Sequence, residues 1–189
     1  MLRIVLTGGP GSGKTTISTR LAAADPQFVA VPEAATQVYA TAGTRWDQVD
    51  LARKRALQRK IYELQLDQEQ GLSRLHPGKI LILDRGTIDG AAYWPDGPES
   101  YWKELGTTLP TELARYDRVI FLQTAAAIGL YDGSVSNPCR FEDAAAAVAN
   151  EAILFDLWSG HKALQRVAAC ASLEDKIAAV KRIIPLPRR

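Results

Sequence analysis

Nine residues near the start of the chain carry a recognisable chemistry: Gly8-Gly9-Pro10-Gly11-Ser12-Gly13-Lys14-Thr15-Thr16. Gly8, Gly13, Lys14 and Thr15 fit the spacing GxxxxGK[ST] of a phosphate-binding loop. Such a loop turns its backbone N–H groups towards one point. Side chains would block a triphosphate there, and glycine takes φ > 0 at little cost. A helix starting at Lys14 would aim its positive end at the same point. Lys14, exposed to ligand rather than packed, is expected to reach the β- and γ-phosphates. Thr15 is expected to ligate Mg²⁺ and Thr16 to donate to the α-phosphate. ATP and Mg²⁺ are therefore the expected cofactors, with Gly8, Gly9, Gly11, Ser12 and Gly13 supplying the cradle.

Further along, Asp84 follows the apolar run Ile80-Leu81-Ile82-Leu83. A carboxylate there suits Mg²⁺ beside Thr15. The adjacent Arg85 suits the charge that phosphoryl transfer spreads over the moving group. Glu33 has two readings: a base that accepts a proton from a substrate hydroxyl, or a favourable charge in a helix's first turn. Arg140 closes the longest loop, about residues 124–140, which suits a lid arginine; a surface ion pair to Glu142 or Asp143 is the plainer reading. Trp46, Tyr93, Trp94, Tyr101 and Trp102 are dense in aromatic surface. Asp89, Tyr93 and Trp94, just past Asp84-Arg85, are the substrate-binding candidates, although most aromatics pack in cores. Arg53, Lys54, Arg55, Arg59 and Lys60 suit an anionic partner such as a nucleic acid or lipid, or simply a solvated helix face, which the charge balance favours. His161 is expected to interact with carbonyls at a helix end.

The elements that must position these groups alternate. Strands are expected at 2–6, 28–31, 79–83, 119–122 and 166–170. Helices are expected at 15–24, 34–42, 47–75 with Asp47 as its cap, 141–158 and 173–184, where Ser172 caps the last. Alternation implies a parallel sheet with its ligands at the carboxyl ends of the strands. The phosphate loop, Glu33 and Asp84-Arg85 all lie just past strand ends and should converge on one cleft.

The bulk properties limit the classes. The chain has 189 residues, a net charge of +2 and 47% hydrophobic residues, which suits a single domain over residues 1–189. No run approaches the ~20 apolar residues of a membrane span. Cys139 and Cys170 fit no metal or disulfide framework. With the first strand opening at Leu2, no leader peptide is expected, and a cytoplasmic setting follows.

Taken together, GGPGSGKTT, VPEAA, ILDRGTIDGAAYW, NPCRFEDA and LWSGH resemble the bacterial predicted-ATPase group of small P-loop proteins. That group is similar to the nicotinamide-riboside kinase domain of bacterial NAD regulators and, more distantly, to nucleoside and nucleotide kinases. The resemblance runs from Leu2 to about Ile184. It implies an α/β three-layer P-loop fold, with a five-stranded parallel sheet in the order 2-3-1-4-5 and a lid after strand four. It also implies Glu33 as base, Asp84-Arg85 as the acid–arginine step, Arg140 as lid arginine, and Ala171 and Ser172 in the adenine loop. Gly86 departs from the serine usual in deoxynucleoside kinases.

Three functions fit. The first is a kinase moving the γ-phosphate of ATP to a small nucleoside-like hydroxyl. The second is a nucleotide-dependent switch or ATPase that binds a partner or anionic lipid, and the third a polynucleotide 5′-end kinase. A GTPase switch would carry DxxG after strand three and NKxD after strand four. This chain has Asp84-Arg85-Gly86-Thr87 and no NKxD, which favours the kinase, and adenine over guanine.

Overall fold

Five parallel strands lie side by side in the computed structural model, which describes residues 1–130 and 144–184. They are β1 (Leu2–Thr7), β2 (Phe28–Val31), β3 (Ile80–Asp84), β4 (Arg118–Leu122) and β5 (Leu164–Val167), in the order β2-β3-β1-β4-β5. This is the order the resemblance implied. The register sets Leu6 beside both Asp84 and Ile120, Val31 beside Leu83, and Leu122 beside Val167. The carboxyl ends of the strands therefore share one edge, and the segments that follow them meet there.

Parallel neighbours need crossovers, which helices supply. They are α1 (Lys14–Ala24), α2 (Ala34–Ala42), α3 (Leu51–Leu75), α4 (Asp89–Ala92), α5 (Pro98–Leu105), α6 (Leu109–Leu113), α7 (Ala144–Trp158) and α8 (Leu173–Ile183). Alternate strand residues feed opposite faces of the sheet. Ile4, Leu6, Ile82, Ile120 and Leu122 pack against Ile17 and Leu21 of α1 and Ile177 and Val180 of α8. Val5, Leu81, Leu83 and Val119 pack against Trp94, Tyr101, Leu157 and Trp158. That two-sided burial explains the unbroken apolar run before Asp84.

Some boundaries differ from expectation. Asp50, not Asp47, caps α3, its carboxylate accepting from the Arg53 N–H at 2.7 Å. Asp47 instead sits in a 3₁₀ turn, Trp46–Gln48, paired with Arg45. Extended backbone at Val49 and Asp50 separates that turn from the helix. β5 begins and ends earlier than residues 166–170, since Leu164 pairs with Val119. In the expected lid, Ala125–Ile128 form a 3₁₀ turn capped by Thr124; Arg140 lies outside the described residues. Among the described residues no helix is long and apolar enough to cross a membrane.

Candidate active site

The phosphate loop runs from the end of β1 into α1. Gly8 adopts φ +130°, and a Cβ there would sit 2.1 Å from the Leu122 carbonyl oxygen. Strand β4 thus presses so close that no side chain fits, and the loop's first position must be glycine. Lys14 corrects the expectation of an exposed, waiting side chain: it is 2% exposed. Its ammonium donates to the carbonyls of Gly8 and Gly9, both at 2.9 Å, and to Ser12 Oγ at 3.0 Å. The cation is thus held by the loop's own carbonyls and the Ser12 hydroxyl. Thr15 and Thr16 are exposed at the start of α1.

Asp84 ends β3 beside this loop. Its Oδ2 accepts from the Thr15 hydroxyl at 2.6 Å, while Oδ1 is buried with no hydrogen-bond partner among the described residues. Burial raises the Asp84 pKa, and the Glu33 charge adds to the rise; Lys14, the Thr15 hydrogen bond and Arg85 oppose it. A buried carboxylate oxygen without a donor is costly unless a cation meets it. The donor set of one carboxylate and one hydroxyl, both oxygen, fits Mg²⁺.

Arg85 has φ +75°, a left-handed backbone for a side chain that disfavours it. Four contacts hold it there. Its N–H donates to the Leu6 carbonyl at 3.0 Å, Nε to Glu33 Oε1 at 2.6 Å and Nη1 to Asp89 Oδ1 at 3.0 Å, and the guanidinium stands 5.6 Å from the Tyr93 ring centre. Burial works against its charge, but Tyr93, Glu33 and Asp89 outweigh it and keep Arg85 firmly protonated. Glu33 occupies the N-cap position of α2 without accepting a helix N–H; its second oxygen accepts from the Thr36 hydroxyl at 2.7 Å. One oxygen thus meets Arg85 and the other a side chain in the first turn of α2.

Asp89 differs from its neighbour Asp84. It accepts from Thr7 Oγ1 (2.9 Å), Arg85 Nη1 (3.0 Å), the Gly86 N–H (3.2 Å) and Trp158 Nε1 (3.2 Å). With these donors in place, its carboxylate holds Arg85 rather than reaching outward. Gly86 lies between: a Cβ would meet Trp158 at 3.0 Å and Tyr116 at 3.1 Å. Two aromatic rings thus fill the space that a serine at this position would need.

A cavity of about 110 Å³ opens next to Glu33 and Arg85. Tyr39, Trp46, Tyr62, Tyr93 and Tyr101 wall it, with the amides of Gln58 and Gln65. Trp46 and Tyr93 meet edge to face at 6.2 Å. Gln58 is 4% exposed and lines the cavity. Gln65 Nε2 donates to Glu69 Oε1 at 3.0 Å and to the Arg85 carbonyl at 3.4 Å. Behind this wall, Glu112 accepts from Tyr62, Thr87 and Thr107, and Glu69 from Tyr116 and Arg115. Burial, then the Glu112 carboxylate, pushes the Tyr62 pKa up to about 12.

Of the sequence candidates, the structure gathers the phosphate loop, Glu33, Asp84, Arg85, Asp89 and Tyr93. Trp94 is not among them: it is 4% exposed in the core, with its indole N–H on Ser100 Oγ at 3.2 Å. Its ring meets that of Tyr101 edge to face at 5.5 Å, so its area serves packing. Ala171 and Ser172 are exposed before α8, the Ser172 hydroxyl accepting from the Asp175 N–H at 3.1 Å. His161 meets the Tyr116 carbonyl at 2.9 Å. On α3, Arg55 pairs with Asp96 and Arg59 with Glu104, and Lys54 lies over Trp46, as on an ordinary solvated face. Gln58 and Gln65 escaped the sequence reading. Their signal was there: two polar residues seven apart on the helix face that carries Leu57, Ile61 and Leu64.

A parallel sheet of this order, with a phosphate loop after its central strand, defines a P-loop NTPase fold. Residues 3–176 match an AAA domain family, and the chain belongs to that family. Among curated proteins no sequence matches it. Solved structures do. A thymidylate kinase from Candida albicans is 16% identical over 96% of this chain and 90% of its own, with a TM-score of 0.66. A deoxyadenosine kinase from M. mycoides with bound dATP is 13% identical over 96% and 98%, TM-score 0.64. A NadR protein in complex with NR is 15% identical over 99% of this chain and 53% of its own, TM-score 0.71. At these identities the likeness is one of fold.

Proposed function

We propose that the protein is an ATP- and Mg²⁺-dependent phosphotransferase acting on a hydroxyl of a small, ring-bearing, nucleoside-like acceptor. The observation that carries this reading is the Glu33–Arg85 pair, which joins the phosphate side of the cleft to the aromatic cavity. A switch has no need of a lined cavity beside its phosphate site. Rings stack on tyrosine and tryptophan, and an amide such as Gln58 reads a polar edge. The kinases of similar fold support the same reading, and the missing guanine motifs support ATP.

In this account the loop N–H groups and Lys14 hold the phosphates. Asp84 and Thr15 would hold Mg²⁺, which when bound offsets phosphate charge. Glu33, which borders the aromatic cavity, accepts the acceptor's hydroxyl proton. The acceptor oxygen bonds to the γ-phosphorus as the bond to the β-phosphate oxygen breaks, and ADP leaves. Arg85, kept charged by Asp89, faces the negative charge on the moving group.

The test is transfer of label from γ-labelled ATP to a panel of nucleosides, nicotinamide riboside and 5′-hydroxyl oligonucleotides. Label in a nucleoside-like product is the expected result. Release of inorganic phosphate alone, at a rate no acceptor changes, would move the assignment to an ATPase or switch.

A further inference from the structure

A second lysine touches the phosphate loop. Lys176, in the first turns of α8, is 5% exposed, and its ammonium donates to the Ser12 carbonyl at 3.0 Å and the Gln123 carbonyl at 2.6 Å. Gln123 directly follows β4; its N–H donates to the Val167 carbonyl at 2.9 Å, and its side-chain oxygen accepts from the Ala169 N–H at 3.2 Å. One ammonium thus ties the phosphate loop to the ends of β4 and β5. The next residue, Thr124, strengthens the tie by donating to the Pro10 carbonyl, and its own N–H is held by Glu151 of α7.

The charge is the unexplained part. Among the described residues, no carboxylate lies within ion-pair distance of Lys176, whose two recorded partners are neutral carbonyls. Burial accordingly lowers its pKa, against the influence of Cys170 and Glu151. Buried cations are normally paired. A methionine of similar length would fill this space with no desolvation penalty, so an ammonium here calls for an anion. The anion that belongs beside Ser12 is a polyphosphate.

We propose that Lys176 is a positioning residue of the nucleotide site: it fixes the phosphate loop against the ends of β4 and β5, and its counter-charge is the polyphosphate of the bound nucleotide. The inference rests on the nucleotide-binding reading of the loop. It requires an effect that grows with phosphate number, because the ammonium acts through charge and through the loop, not through the base.

The experiment measures Mg²⁺-dependent affinity for ATP, ADP and AMP in the wild type and in Lys176→Met, Lys176→Gln and Lys176→Arg. Met removes charge and donors, Gln keeps a donor without charge, and Arg keeps both. The expected result is an ATP affinity at least tenfold weaker in Met and Gln, a smaller loss for ADP, little change for AMP, and recovery to within about threefold in Arg. If Met does not fold, the Gln and Arg pair decides alone. ATP affinity in Gln equal to wild type, or an equal loss for all three nucleotides, overturns the proposal while nucleotide binding itself stands. Failure of the wild type to bind ATP removes both.

Discussion

Beside the phosphate loop the cleft is made of backbone; around the aromatic cavity it is made of side chains. Between Gly8 and Thr15 the useful groups are N–H donors and one lysine held by its own loop, all within eight residues of sequence. The cavity takes Glu33 and Tyr39 from the β2–α2 region, Gln58 and Gln65 from α3, and Arg85, Asp89 and Tyr93 from the segment after β3 that includes α4. The two sides also treat their acids differently. Asp84 keeps one buried oxygen without a donor, whereas Asp89, five residues on, has donors at both. In the proposed reading, the contrast separates an acid that would receive a metal ion from an acid that holds Arg85 in place.

The largest effect is expected at Lys14. Lys14→Ala removes the cation that the Gly8 and Gly9 carbonyls hold and should abolish nucleotide-dependent turnover, by on the order of 10²–10³-fold or more. Circular dichroism should show the sheet intact, since Lys14 bonds within the loop. Turnover equal to wild type would end the phosphate-loop reading.

The two aspartates then test the contrast directly. Asp84→Asn should depress Mg²⁺-dependent turnover far more than Mg²⁺-free nucleotide binding, and keep the ligand-free Tm within about 2–4 °C of wild type. Asp89→Asn should do the opposite to stability. It leaves Arg85 short of a buried charge partner, a loss of about 3–5 kcal/mol that denaturant unfolding will read. Equal stability losses in the two variants would erase the distinction drawn between them.

A smaller effect is expected at Gly86. Gly86→Ser pushes a Cβ against Trp158 and Tyr116 and should lower stability by about 1–3 kcal/mol, the usual cost of overpacking. A tolerated serine would mean those rings move readily, and that the cavity is shaped less firmly than the Glu69 and Glu112 networks suggest.

The same contrast explains what was legible in the sequence. A backbone-built site leaves its mark locally, because each close approach demands a glycine at a set position; Gly8 under the Leu122 carbonyl is the plainest case. The sheet was legible for a related reason. Strands covered on both faces read as unbroken apolar runs, as Ile80–Leu83 does. The aromatic cavity was not legible, because its residues come from elements that only the fold brings together. Tyr39 and Tyr101 look alike in sequence to tyrosines that merely pack, and Trp94, one residue from Tyr93, points into the core instead. The donors at Asp89 were equally hidden, since Thr7 and Trp158 are 82 and 69 residues away. The burial of Lys14 was hidden too: a loop whose N–H groups suit phosphate oxygens can also cradle an ammonium with its carbonyls.

The central claim is that the two sides meet at Glu33, whose carboxylate serves the acceptor and not the nucleotide. Glu33→Gln keeps the size and most of the hydrogen bonding but removes the base. Single-turnover transfer from ATP to the best acceptor, measured alongside ATP affinity, tests this most directly. The account predicts transfer slower by roughly 10²–10⁴-fold, with ATP affinity unchanged. Transfer at the wild-type rate would contradict it, and leave Glu33 as no more than the partner that holds Arg85.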